Sequence, residues 1–240
     1  MPSLPKHSLK AYDAELTELR AMISQMGGMA QSLLDEAVGA LLSRDAERAM
    51  AVIADDKAID ALEVEVERLA VQTIALRAPL ADDLREIICA LKISSILERI
   101  GDYAKNIAKR TTALSADDVF EDVTILSEMA RMASGMIETM LDAFVARDAE
   151  KASEVRDRDI RIDTLYNTLF RDMLTYMMEN PKAITPSTHL LFIAKNIERI
   201  GDHTTNAAEM VYYGATGNTL DTDRQKNDST SFTTSDEIDT

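Results

Sequence analysis

Glu98-Arg99-Ile100-Gly101-Asp102 returns unchanged as Glu198-Arg199-Ile200-Gly201-Asp202, and an asparagine follows each copy four residues on, at Asn106 and Asn206. Each copy sits late in a long run of apolar residues spaced three and four apart, so each predicts a helix. At about 3.6 residues per turn, Glu98, Asp102 and Asn106 share one slowly drifting face and form a column of oxygen atoms. Acidic pairs at the same spacing stand earlier in each copy, Asp56/Asp60 and Asp159/Asp163. Like charges four apart on a helix repel. Where two such pairs converge, repulsion raises some of their pKa values unless a cation neutralises them. Oxygen-only ligands suit Mg, Ca, Mn or Fe, with Zn less favoured, and bridging carboxylates could hold more than one ion. The plainer role for an Asp-x-x-x-Asp pair is solvated surface, and Glu-Arg neighbours can simply pair. Selective retention favours the metal: Ser94-Ser95 has become Ala194-Lys195 while the adjoining pentapeptide has not changed. A mid-helix glycine weakens a helix, so Gly101 and Gly201 are expected to admit a neighbouring backbone or a ligand closely.

The elements that must position these acids follow from periodicity. Residues 1–10 form a short lead-in. Leu16, Leu19, Ile23, Met26, Leu33, Leu34, Val38 and Leu41 mark a first helix from about Ala11, its Met-rich face read as core with an adaptable partner surface as the alternative. Gly27, Gly28 and Gly39 interrupt propensity but not pattern. Asp45 is the expected N-cap of a second helix of about thirty residues, ended by Pro79. A third begins at Asp82 or Asp83, whose charge suits a helix N-terminus, and ends near Arg110. Residues 111–119 read as a polar linker. The plan then restarts. Arg147-Asp148-Ala149-Glu150-Lys151-Ala152 matches Arg44-Asp45-Ala46-Glu47-Arg48-Ala49 at an offset of 103 (147 minus 44), which also carries Asp56 to Asp159 and Asp60 to Asp163. The last helices match at an offset of 100 (198 minus 98), so the intervening loop of the second copy, around Pro181 and Pro186, is about three residues shorter. Three amphipathic helices can bury their stripes against one another. The expected fold is therefore all-α: two tandem pseudo-symmetric three-helix bundles, residues 11–114 and 119–213, followed by a polar, acidic, disordered tail over 214–240.

Composition narrows the function. With 42 acids against 26 bases, a net charge of -16 and a pI near 4.6, the chain repels phosphate backbones and anionic membranes. Metal cations and basic protein surfaces are better partners than nucleic acid. A single cysteine, Cys89, excludes an internal disulfide, fits a reducing cytosol and reads as a small core residue. No charged n-region followed by an apolar stretch marks a signal peptide, and no run suits a membrane span. There is no P-loop, no Gly-x-Ser-x-Gly and no Cys/His pair. A di-iron carboxylate oxidase would need Glu-x-x-His on two helices. Three residues before His7, His189 and His203 stand Leu4, Pro186 and Ile200, so that motif is absent. A plain helical scaffold is the remaining alternative to a regulator. His203 points about 100° away from Asp202. Arg99 and Arg199 could clamp a phosphate or a partner's carboxylate, or orient the neighbouring acids.

The duplicated bundle, Asp83-Leu84-Arg85 at the start of the third helix and both Glu-Arg-Ile-Gly-Asp segments resemble the PhoU family over about residues 10 to 213. The resemblance implies a non-enzymatic cytoplasmic regulator of phosphate uptake, an adaptor between the ATPase of a phosphate ABC transporter and the sensor histidine kinase of the phosphate two-component system. Such a protein restrains the phosphate-starvation response when phosphate is plentiful, and meets the membrane only through its partners. It also implies metal ions, Fe, Zn, Mn or Mg, at Asp56, Asp60, Glu98 and Asp102 and at Asp159, Asp163, Glu198 and Asp202, and a homodimer, which no residue pattern here indicates.

Overall fold

The computed structural model describes residues 6–114 and 123–220. These form helices α1 (Lys6–Ser43), α2 (Ala46–Asp55), α3 (Lys57–Arg77), α4 (Ala81–Ala113), α5 (Thr124–Ala146), α6 (Ala149–Glu179) and α7 (Ile184–Thr216), with a 3-10 turn at Pro181–Ala183. Among the described residues there is no strand. Because α2 and α3 continue one another, the chain is six long helices in two sets of three: α1, α2–α3 and α4, then α5, α6 and α7. Helix α1 begins before Ala11, and α4 continues into the stretch read as linker. Most of that linker and residues 221–240 of the tail lie outside the described residues.

Local chemistry repeats along with the fold. Arg44 and Arg147 end α1 and α5 in the left-handed region, at φ 55° and 53°. The next residue caps the following helix in each copy. Asp45 accepts from the Arg48 amide at 2.9 Å, and Asp148 from the Lys151 amide at 3.0 Å. One expected symmetry fails. The predicted thirty-residue second helix is interrupted at Asp56, where the backbone ladder stretches: Asp56 N to Val52 O is 3.3 Å and Asp60 N to Asp56 O is 3.4 Å. The matching helix α6 runs unbroken through Asp159.

The two bundles share one core rather than having one each. Ile23, Met26 and Leu34 of α1, Ile93, Leu97 and Ile100 of α4, Met129, Met136 and Met140 of α5, and Ile193 and Ile197 of α7 belong to a single buried cluster. Burying each such side chain contributes about 1.5–3 kcal/mol, before the entropy of ordering the chain is set against it. Gly27 lies against Leu141 across the α1–α5 contact, the close crossing its sequence position allows. The spine is α4 against α7. Arg85 lies over the Tyr213 ring, Tyr103 meets His203, and Arg110 lies over Phe192. As α4 ascends, its contacts descend α7, so the two helices are antiparallel. Tyr103 and His203 are matching residues of the two copies, so their contact marks the pseudo-twofold axis.

Candidate metal centre

The acidic pairs lie where the second rod of each bundle crosses the third. In the first bundle the crossing brings Asp56 against Gly101. A Cβ built at Gly101 would lie 3.3 Å from Asp56 Oδ1 and 3.1 Å from Ile59 Cδ1. In the second, a Cβ at Gly201 would lie 2.8 Å from Asp159 Oδ1 and 3.2 Å from Ile162 Cδ1. The mid-helix glycines therefore make room for a neighbouring aspartate and isoleucine, matched residue for residue between the copies.

The first patch holds Asp56, Asp60, Glu98 and Asp102. Asp56 is 2% exposed, Glu98 and Asp102 are half-buried, and Asp60 is exposed. Between the helices stands a residue the sequence reasoning passed over. Lys105 Nζ is 2.6 Å from Asp56 Oδ2 and 2.5 Å from Asp102 Oδ1. Its position one turn past Asp102 was the available signal, since acid and base three apart on a helix are neighbours. Burial works against the Lys105 charge, yet hydrogen bonds to Asp102 and Asp56 hold its pKa above the usual lysine range. The opposite pressure acts on the acids. Burial first, then the charges of Asp102, Glu63, Asp60 and Asp56, push the Glu98 carboxyl upward. Asp60 is raised by burial and by Asp56, with Lys105 pulling the other way. All four predicted residues thus share one electrostatic neighbourhood.

The second patch is more deeply set. Asp159, Asp163 and Glu198 are 3%, 2% and 3% exposed, and Asp202 is half-buried. The residue matching Lys105 is Thr205, fully buried, with no hydrogen-bond partner for Oγ1. Lys195, where the first copy has Ser95, reaches Glu198 Oε2 at 3.0 Å along its own helix.

The donor set in both patches is carboxylate oxygen, suited to hard or borderline cations. Asp56 Oδ1 is buried without a hydrogen-bond partner, the kind of atom an ion would satisfy. Among the described residues, however, no three His, Cys, Asp or Glu side chains converge closely enough to hold a metal ion. Ion binding by these residues therefore requires the more exposed members, Asp60, Glu98 and Asp102 in the first patch, to turn inward. The side chain of His7 lies outside the described residues. His203 meets the Tyr103 hydroxyl at 3.2 Å, and His189 lines a cavity between α4 and α7. Arg99 and Arg199 are exposed and pair with no acid among the described residues. Cys89 is buried in the core, which pushes its thiol pKa up.

The duplication and its motifs place the chain among known proteins. The family model of the PhoU domain matches twice, over residues 23–111 and 126–211. A phosphate-specific transport system accessory protein PhoU homolog of Zymomonas mobilis is 53% identical over 88% of this chain and 89% of the relative. The Rhizobium meliloti homolog is 46% identical over 94% of this chain and 95% of its own. The crystal structure of PhoU from Pseudomonas aeruginosa superposes with a TM-score of 0.83 at 35% identity, covering 86% of this chain and all of that one. The twice-matched family model and the near full-length relatives show that the chain belongs to the PhoU family.

Proposed function

We propose that this protein is a metal-binding negative regulator of phosphate uptake and phosphate-starvation signalling, working in the cytoplasm as an adaptor between the ATPase of a phosphate ABC transporter and a sensor histidine kinase. The observation that carries this reading is the match along nearly the whole chain to accessory proteins of phosphate-specific transport systems. No helix among the described residues is long and apolar enough to cross a membrane, consistent with attachment through partners. An all-helical body with one shared core suits docking. The two bundles present related faces about a pseudo-twofold axis, and self-association of the protomer would double them. Deleting the gene is expected to switch on phosphate-starvation genes in high phosphate. Normal repression in the deletion strain overturns the regulatory reading.

The metal part concerns the two patches. Asp56, Asp60, Glu98 and Asp102 would hold ions in the first bundle, and Asp159, Asp163, Glu198 and Asp202 in the second. Bound ions would supply positive charge that cancels the repulsion among these acids and ties the second rod of each bundle to the third. The chain itself contributes the cradle: glycines that let an aspartate approach, a buried aspartate at each crossing, and half-buried acids on the facing helix. Elemental analysis of purified protein beside the Asp102→Asn/Asp202→Asn double variant tests it. Metal retained by the parent and lost by the variant is expected, and equal content in both removes the metal from the proposal.

A further inference from the structure

On one side of the pseudo-twofold axis, residues of α4 and α7 line a cavity of about 450 Å³. Lys109 and Arg110 project from α4, and Lys195 and Arg199 from α7, with His189 and Phe192 completing the wall. None of the lining residues is acidic, although the chain as a whole carries -16. Lys109, Arg110 and Arg199 make no ion pair with any described residue. The Arg110 guanidinium lies over the Phe192 ring, its Cζ 4.0 Å from the centroid, and the Phe192 carbonyl accepts from the Asn196 side-chain amide. His189 Nδ1 is buried and unpartnered. Glu198 pairs with Lys195, but mutual repulsion among the other three cations is costly without a further counter-charge.

Duplication supplies an internal control. The offset of 100 that relates α4 to α7 carries this cavity's residues onto the other side of the axis. There Lys109 becomes Glu209, Arg110 becomes Met210, Lys195 is replaced by Ser95, His189 by Cys89 and Phe192 by Lys92; of the cavity's cations only Arg199 keeps its type, as Arg99. Helix register and shared ancestry therefore do not account for the basic cluster, because the matching face has only Lys92 and Arg99 as cations and carries Glu209 beside them.

From this we infer that the α4–α7 cavity is a binding site for a small phosphoryl-bearing anion. Two guanidinium forks match phosphoryl oxygens in paired hydrogen bonds, and the Lys109 ammonium adds point charge, with Lys195 beside it shared with Glu198. Three cations without an ion pair among the described residues, Lys109, Arg110 and Arg199, suit a multiply charged anion better than a single carboxylate. The volume exceeds that of one phosphate ion and falls in the range of small-ligand pockets, so free phosphate and a nucleotide are both candidate sources of the same group. The cavity is distinct from the carboxylate patches, and the inference does not rest on their binding metal.

Titration calorimetry on the full chain with inorganic phosphate, and separately with ATP, tests this at roughly physiological salt, where weak surface attraction is screened. Saturable binding of at least one, with Kd below about 1 mM, is expected. Inorganic phosphate binding alone names the free ion as the source, and tighter ATP binding names the nucleotide. The Lys109→Gln/Arg199→Gln double variant should bind about tenfold or more weakly, whereas Arg99→Gln on the matching face should bind unchanged. Both altered residues are exposed, and circular dichroism checks that helicity is retained. Four results overturn the inference: no saturable binding, equal affinity in the double variant, sulfate binding as tightly as phosphate, or binding that disappears in Asp102→Asn/Asp202→Asn, which would place the anion on metal instead.

Discussion

The two carboxylate patches descend from one ancestor and close the same helix crossing in different ways. In the first, Lys105 reaches from α4 to Asp56 and Asp102 and puts a covalently attached cation between the helices. In the second, the matching position is the buried hydroxyl of Thr205, and the nearby Lys195 pairs with Glu198 on its own helix. Three of the second patch's four acids are buried, against one in the first. A bridging ammonium lets a patch tolerate its charge without help. A patch lacking a lysine at that position, and set deeper in low dielectric, responds more strongly to a cation from solution. The copies thus differ not in their acids, which are the same types at the same spacings, but in the residue one turn further on.

Exchanging that residue tests the comparison most severely. Lys105→Thr makes the first patch imitate the second and leaves Asp56 buried beside acids without its ammonium. Breaking a fully buried pair costs about 3–5 kcal/mol; because Lys105 and Asp102 are partly exposed, the expected loss in chelator is about 2–3 kcal/mol. Urea denaturation measures it, and divalent cation should restore part of the loss. The reverse exchange, Thr205→Lys, should lower the metal content of the second patch. If Lys105→Thr unfolds within about 0.5 kcal/mol of the parent, the lysine is ordinary surface and the contrast between patches fails.

The glycines give a smaller, graded test. Alanine at Gly201 would put Cβ 2.8 Å from Asp159 Oδ1, closer than such contacts tolerate, whereas at Gly101 the nearest neighbours lie at 3.1 and 3.3 Å. Overpacking costs about 1–3 kcal/mol, while Gly to Ala in a helix returns about 1 kcal/mol. Gly201→Ala should therefore destabilise by about 1–2 kcal/mol, and Gly101→Ala should change stability by less than about 1 kcal/mol. Thermal unfolding of both reads the difference; equal effects would mean the two crossings are equally tight.

Periodicity revealed the helices, the duplication and all eight acids, because buried stripes and repeated motifs are written locally. The single shared core was not legible: nothing in the spacing of Ile23 or Met136 tells which bundle's stripe it meets. Nor was the break at Asp56, since the matching helix carries the same aspartate at Asp159 unbroken. The lysine bridge was half-visible, as Lys105 lies in helical reach of Asp102, but its second partner, Asp56, is 49 residues away and depends on how two helices cross. The basic cavity is illegible in the sequence for the same reason. Lys109 and Arg110 are separated from Lys195 and Arg199 by most of the second repeat, and only an antiparallel α4–α7 pairing brings them together.

Acidity offers the gentlest probe of the first patch. Glu98 and Asp60 have carboxyl pKa values raised by burial and by neighbouring negative charge. Raised folded-state values mean that the native chain binds protons more readily than the unfolded chain. Through these two groups stability therefore decreases as pH rises from their unfolded values through their higher folded ones, and acidification through that window recovers it. Both groups are partly exposed, so the slope should be shallow. In chelated protein, urea midpoints taken downward from pH 7 should rise slightly on approaching the upper edge of the carboxylate range, before acids with lowered pKa values, such as Glu15 beside Arg77, begin to protonate and reverse the trend. Glu98→Gln should remove part of the rise. With metal bound the rise should vanish or invert, because protons then compete with the ion for the same oxygens. A rise of equal slope in the parent, the Glu98→Gln variant and the metal-loaded protein would mean that the first patch is already neutralised by Lys105 and takes no part in cation binding, leaving the second patch to bind alone.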